Sequence, residues 1–484
     1  MHISSQRTFT SDICVAKMSI FQGSETSQPH IALFPSAGMG HLTPFLRLAS
    51  MLLSHNCMVT LLTTKSTVSA AESTYISFFL STNPEIKHIE FQVPPMQPSN
   101  TTADDPFFIQ FKATSRSAHL IYPLISSLSP PLSAIFSDLV VASGVSKVAV
   151  YLGIPNYAVS TTSAKFLSLL AYLPILTSDA AKLSNRSTDI EIPGLTPLPI
   201  SSIPPPFFNP DHLFTATLVS NAIALPDCKG ILMNAFDCFE PETLSAINNK
   251  RALRNLPPIL PIGPLETYEL KKDLGQYLPW LNSQPAESVV FVSFGSRTAM
   301  TKDQIKELRH GLEKSEYRFL WILKTKTVDK DDTEDLEDLL SCSFLERTKN
   351  KGMVLKEWVN QQDILAHPAV GGFVNHCGWN SVMEAAQRGI PMLAWPQHGD
   401  QRANAEVLEK AGLGIWDRTW GWGGQRLVKT DEIQKRISEL MTDVKLKSRA
   451  KKVGEEARKA TGNGGSSIKT IMEVIESLKQ NNRS

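Results

Sequence analysis

Residues 358–401 read WVNQQDILAHPAVGGFVNHCGWNSVMEAAQRGIPMLAWPQHGDQ. The middle of this stretch decides the fold. Gly371-Gly372-Phe373-Val374 is a short apolar run closing on Asn375-His376, the pattern of a parallel strand buried on both faces. Gly378 supplies a tight turn. Ser381-Val382-Met383-Glu384 then has capping-box spacing and predicts a helix start. Gly389 and Pro391 predict its end. A strand, a turn and a helix in that order leave N–H groups unpaired at the helix start, where the helix dipole is positive. Such a start takes a phosphate or diphosphate. Capping alone is the plain alternative for Ser381 and Glu384.

Working outward, the same alternation of short apolar runs and amphipathic stretches covers most of the chain. Ile31–Phe34, Val59–Leu62, Ala134–Phe136 and Ile231–Met233 are strand candidates in a first half. Val289–Val292 restarts the pattern in a second. Residues 255–287 between them carry Pro257-Pro258 and Ile262-Gly263-Pro264 and predict a linker. The fold class expected is α/β, two doubly wound sheets. The expected divisions are a disordered leader over 1–28, a first domain over 29–254, the linker, a second domain over 288–461 and a last helix within 462–484. Gly462-Asn463-Gly464-Gly465 breaks the chain before that helix.

The first strand runs into Ser36-Ala37-Gly38-Met39-Gly40-His41. Thr43 suits a helix N-cap and Pro44 the first helical position. Leu42, Phe45, Leu46, Ala49, Leu52 and Leu53 mark an apolar helical face. His41 is therefore expected on a loop at the C-terminal end of a strand, where such sheets bind ligands. Asp138 ends the strand from Ala134 and is a second candidate, with a turn carboxylate as its alternative.

Composition excludes several classes of function. Lys plus Arg is 48 and Asp plus Glu 47, so there is no basic field for nucleic acid or anionic membrane. No apolar run reaches the length of a membrane span. Six cysteines have no CxxC spacing, and Cys377 beside His376 lacks further ligands, so no metal site is expected. Free thiols in a cytoplasmic setting are the simple account.

The stretch 358–401 closely resembles the nucleotide-sugar signature box of plant secondary-product glycosyltransferases that use UDP-sugars. Its opening Trp-Val-Asn-Gln, central His-Cys-Gly-Trp-Asn-Ser and closing Asp-Gln all fit. The resemblance implies the GT-B fold, two Rossmann-like domains facing across a cleft, with the last helix crossing back onto the first domain. It implies that Trp358 stacks on uracil, flanked by Val359 and Gln361. It brings His376, Asn380 and Ser381, with Gly378 and Trp379 between them, to the donor and its phosphates at the helix start. Ser296 after Gly295 adds a second hydroxyl. Glu384 goes to the ribose, whose vicinal hydroxyls both donate to a carboxylate. Asp400 and Gln401 hold the sugar hydroxyls, and a closing Gln goes with glucose.

By the same resemblance His41 is the general base and Asp138 orients it. An imidazole has a pKa of about 6.5, close enough to neutral to accept a proton. Asp138 lies 15 positions before Gly153, one more than in typical O-glycosylating members. That spacing changes its approach to His41 or turns it to the acceptor. Asp105-Pro106-Phe107, Ser293 to Ala299 and Trp420 to Gly424 resemble plant flavonoid C-glycosyltransferases. Asp105, Phe107, Phe108 and Phe111 are the candidate acceptor wall, with a simple turn as the alternative for Asp105-Pro106.

The expected activity is inverting glucosyl transfer from UDP-glucose to an aromatic carbon of a flavonoid-like polyphenol. UDP-glucose is a co-substrate, with no metal or other cofactor, and the expected enzyme is a monomer. A flavonoid O-glucosyltransferase is the nearest alternative. A dinucleotide oxidoreductase lacks its GxGxxG in the first unit, and His41 argues against a non-catalytic sugar-nucleotide binder.

Overall fold

A computed structural model describes residues 28–65, 70–94, 106–178, 188–266, 275–325 and 334–481. The expected leader, apart from Gln28, and the candidate Asp105 lie outside these residues.

Two parallel sheets organise the chain. The first contains β1 (His30–Phe34), β2 (Met58–Thr64), β3 (Lys87–Phe91), β4 (Ala134–Asp138), β5 (Asn156–Ser160), β6 (Gly230–Met233) and β7 (Ile259–Pro261), in the order β3-β2-β1-β4-β5-β6-β7. The second contains β8 (Val289–Ser293), β9 (Arg318–Ile322), β10 (Gly352–Leu355), β11 (Val370–Asn375), β12 (Met392–Ala394) and β13 (Gly414–Trp416), in the order β10-β9-β8-β11-β12-β13. Each is wound outward in both directions from a central pair, β1 beside β4 and β8 beside β11. In such sheets the chain leaves the two central strands toward opposite faces, opening a crevice at their C-terminal ends. The residues after β1, β4, β8 and β11 therefore face two crevices. Those segments carry His41, Ser296 and His376, and Asp138 is the last residue of β4.

The expected linker needs correction. Ile259–Pro261 is the edge strand of the first sheet, paired parallel with β6, and Tyr277–Asn282 is a short helix. Pro261 is tolerated because an edge strand need not donate on its open side. The last helix, Ser466–Asn481, buries Ile471, Val474, Ile475 and Leu478 in the apolar cluster of β1, β2 and the helix Met39–Ser54. Ser467 Oγ donates to Gly263 O at 2.6 Å. This helix is thus part of the first domain's core.

Candidate active site

Two helix starts differ from expectation, and each difference builds the site. The helix after β1 begins at Met39, not at Thr43. Gly38 has φ +96°, a conformation open to glycine that turns the chain early. His41 therefore sits in the first helical turn, and its N–H bonds Gly38 O at 3.0 Å. Pro44 falls inside the helix and has no N–H to return to Gly40 O. That carbonyl accepts instead from Asn380 Nδ2 of the second domain, at 3.1 Å. The helix after β11 begins at Trp379, with Gly378 as N-cap and no side-chain cap. Ser381 lies one turn inside, so its hydroxyl is not a cap. It accepts from Gln361 Nε2 at 3.0 Å.

His41 and Asp138 meet. Nδ1 of His41 lies 2.7 Å from Asp138 Oδ2, and the carboxylate is fully buried. The other partners of Asp138 are Ser36 Oγ, donating to Oδ2 at 2.9 Å, and Val140 N–H, donating to Oδ1 at 3.1 Å. Burial alone lowers the His41 pKa. The charge and hydrogen bond of Asp138, helped by Asp400 and opposed by Arg297, outweigh that effect and hold it above its ordinary value. With Nδ1 engaged by the carboxylate, the neutral ring carries its proton there and leaves Nε2 as the acceptor.

One cavity of about 390 Å³ joins the two crevices. Every donor-side candidate lines it: Ser296, Trp358, Val359, Gln361, His376, Gly378, Trp379, Asn380, Ser381, Glu384, Asp400 and Gln401. His41, Phe107 and Phe111 line it from the first domain. Phe108 does not. Its ring packs on Phe214 at 4.8 Å and on His212 at 5.8 Å between centroids, one layer behind the wall.

Trp358 is 53% exposed, whereas Trp321 and Trp420 are fully buried. A core-packing role does not account for such a ring. His376 is half-buried and wedged between two glycines: a Cβ on Gly295 or Gly378 would come within 2.7 or 2.5 Å of its ring. Burial, with a further push from His398, lowers its pKa to about 3. It is neutral at pH 7 and offers an N–H dipole, not a charge. Its Nδ1 is buried with no partner among the described residues.

The closing pair is already engaged. Asp400 Oδ2 accepts from Thr162 Oγ1 at 2.6 Å and from Asn404 Nδ2 at 2.8 Å. Burial raises its pKa against those bonds. Gln401 Oε1 accepts from the N–H groups of Gln397 and His398 at 2.8 and 3.0 Å. The turn at 396–399 is thereby built on the side chain that follows it.

Sequence reasoning missed several residues at the cavity. Arg297 reaches across and lays its guanidinium 3.6 Å from the Phe107 ring centre, a cation–π contact. Thr161 and Thr162 follow β5, and Phe214 and Arg47 come from helices of the first domain. Arg47 carried no signal, because at helical spacing it points away from the apolar face of Leu46 and Ala49. Arg297 lies inside the Ser293 to Ala299 stretch already singled out, without a role assigned to it, and Thr161, Thr162 and Phe214 carried no signal either.

Two doubly wound sheets, a diphosphate-sized helix start and a His–Asp pair in one cleft define a sugar-nucleotide-dependent transferase of the GT-B fold. Residues 253–418 match the family model described as UDP-glucoronosyl and UDP-glucosyl transferase. The chain is 50% identical over 455 residues to UDP-glycosyltransferase 708C1 of Fagopyrum esculentum, covering 94% of this chain and 96% of that protein. It is 42% identical over 450 residues to UDP-glycosyltransferase CGT of Oryza sativa subsp. indica, covering 92% and 95%. The crystal structure of LpCGTa in complex with UDP superposes with a TM-score of 0.82 at 44% identity, covering 93% of this chain and 99% of that one. The chain belongs to the UDP-glycosyltransferase family and is a UDP-sugar-dependent glycosyltransferase of the plant type. No helix among the described residues is long and apolar enough to cross a membrane.

Proposed function

We propose that the protein transfers glucose from UDP-glucose, with inversion, to an aromatic carbon of a flavonoid or related polyphenol. The observation that carries this reading is the His41–Asp138 pair, 2.7 Å apart, on a cavity walled by the donor box on one side and by Phe107, Phe111 and Phe214 on the other. Relatives and solved neighbours that bear the label CGT support transfer to carbon.

A phenol resembles Tyr, with a pKa of about 10, and needs a base at neutral pH. His41 Nε2 takes the phenolic proton. The phenolate raises electron density at its ortho carbon. That carbon attacks the anomeric carbon as the bond to the UDP oxygen breaks, and loss of the ring proton restores aromaticity. Orientation within about an ångström separates attack by carbon from attack by oxygen. The helix start at Trp379, neutral His376, Asn380, Ser381 and Ser296 take up the charge developing on UDP. This reading calls for no metal. Asp400 and Gln401 hold the glucose hydroxyls. The cysteines described are all free thiols, which suits a cytoplasmic enzyme.

The test is product chemistry with UDP-glucose and a panel of polyhydroxylated aromatics with a bare carbon between two hydroxyls. A C-glucoside survives hot acid and β-glucosidase, and its fragments show cross-ring sugar losses. If every product releases free glucose in acid, the protein is an O-glucosyltransferase and the carbon reading is wrong.

A further inference from the structure

The helix Met39–Ser54, which carries His41, touches the donor-binding helix Trp379–Arg388 at two places. One is Gly40 O, left open by Pro44 and filled by Asn380. The other is seven residues on, about two turns, and so on the same face. There Arg47 Nη2 donates to Glu384 Oε1. Both side chains are buried, 6% and 8% exposed. Gln362 Nε2 donates to the same oxygen at 3.3 Å, and Gln361 Nε2 to Glu384 Oε2 at 2.7 Å.

A carboxylate has about four acceptor positions. Three are filled here, two of them by neutral amides on side chains that line the cavity. Two ribose hydroxyls need room, so a neutral amide has to yield. The cation cannot yield, because a buried charge stripped of its partner is strongly unfavourable. Arg47 also lines the cavity, and its Nε is buried with no partner among the described residues. It is the one anchor of Glu384 that comes from the opposite domain.

We propose that Arg47 is a donor-positioning residue, which from the acceptor domain holds the Glu384 carboxylate in place for the ribose of UDP. The inference rests on Glu384 taking the ribose hydroxyls. It makes donor affinity depend on the first domain, and it links the helix that bears the base to the presence of the nucleotide.

The test is UDP binding by titration calorimetry on the full chain, with thermal melts as a check on folding. Arg47→Met should weaken UDP by roughly ten- to a hundred-fold, the range for losing a hydrogen bond to a charged group. The same factor should appear in the KM for UDP-glucose and not in the KM for the acceptor, a split that a general loss of structure would not give. Arg47→Lys keeps the charge without the planar fork, and should recover most of the affinity. Glu384→Gln should weaken UDP too, and adding Arg47→Met to it should weaken UDP little further. If Arg47→Met does not fold, Arg47→Leu takes its place, likewise without a donor for Glu384. A folded neutral variant that binds UDP within two-fold of wild type overturns the role of Arg47, as do additive losses in the double variant. Wild-type affinity in Glu384→Gln overturns the ribose assignment and the inference with it.

Discussion

Replacing Asp138 by Asn should be more damaging than replacing it by Ala, and the reason lies in the four groups around the carboxylate. Val140 N–H donates to Oδ1 at 3.1 Å; Ser36 Oγ and His41 Nδ1 meet Oδ2 at 2.9 and 2.7 Å, with Ser36 N–H at a weak 3.5 Å. An Asn side chain has one oxygen and one NH2. Neither backbone N–H can become an acceptor, and that of Val140, at 3.1 Å against 3.5 Å for Ser36, claims the amide oxygen. The NH2 then takes the place of Oδ2. Ser36 can rotate its hydroxyl to accept, and His41 can accept only by moving its proton to Nε2. The ring then presents N–H to the acceptor phenol and is no longer a base. A tautomer reversal of this kind lowers turnover about 10⁴-fold, or roughly 5.5 kcal/mol of barrier. Asp138→Ala removes the orienting charge but forces no tautomer. Its loss should fall nearer the lower end of what a general base contributes, about 10²-fold. The assay is single-turnover transfer at saturating UDP-glucose, with UDP affinity measured alongside and expected to be unchanged. The pH profile adds a second readout. A base works when neutral, so the acid limb of wild type should lie above about 6.5, because Asp138 holds the His41 pKa up. In Asp138→Ala burial is the main remaining influence, and the limb should move down. Equal losses in the two variants, or a larger loss in Asp138→Ala, would refute the tautomer argument.

His41→Ala should abolish transfer and leave UDP binding intact; turnover within a few-fold of wild type would remove it as the base. Gln401→Ala should lower kcat/KM for UDP-glucose by roughly five- to 150-fold, the span of about 1–3 kcal/mol for an unmet buried hydrogen bond. It should also lower Tm, because it frees the Gln397 and His398 N–H groups; an unchanged preference for UDP-glucose over UDP-galactose would count against its role in sugar choice. Glu240 is buried, and burial raises its pKa to about 7 despite two N–H donors from Ala164 and Lys165. A raised pKa contributes stability below the unfolded value near 4.5 that is lost as pH rises through about 7. Denaturant titrations should therefore show wild type losing up to about 3 kcal/mol relative to Glu240→Gln across that window.

The parts of the fold legible in the sequence are those whose strands are buried on both faces. β1, β2, β4, β6, β8 and β11 read as short, mainly apolar runs because helices cover both sides of a doubly wound sheet. β3 was not legible. Lys-His-Ile-Glu-Phe at the sheet edge leaves most of its side chains exposed, so its polar residues carry no strand period. β7 hid among prolines for a related reason, since an edge position removes the penalty that a central proline would incur. In the site, the donor-side candidates that line the cavity, Ser296 apart, were legible because they lie together in one stretch around one helix start. The acceptor wall was not, beyond Phe107 and Phe111. Phe214 and Thr161 come from distant segments, and only the winding of the first sheet brings them beside His41.

The helix starts misread from sequence expose a limit of local rules that has a physical cause. Ser381 and Glu384 have capping-box spacing, and Thr43-Pro44 has N-cap and first-turn chemistry. Each signal is energetically real, worth about 1 kcal/mol at a helix end. Here each is displaced by about one turn, because a glycine starts the helix earlier. The displaced groups then have bonds to give elsewhere. Ser381 and Glu384 turn to Gln361, and Pro44 leaves Gly40 O for Asn380 of the other domain. A cap that a helix does not use, and a carbonyl that a proline leaves open, are polar groups that the helix itself does not satisfy. In this protein both lie on the cleft. The residues that would have been used inside a helix are the ones facing the cavity and the opposite domain.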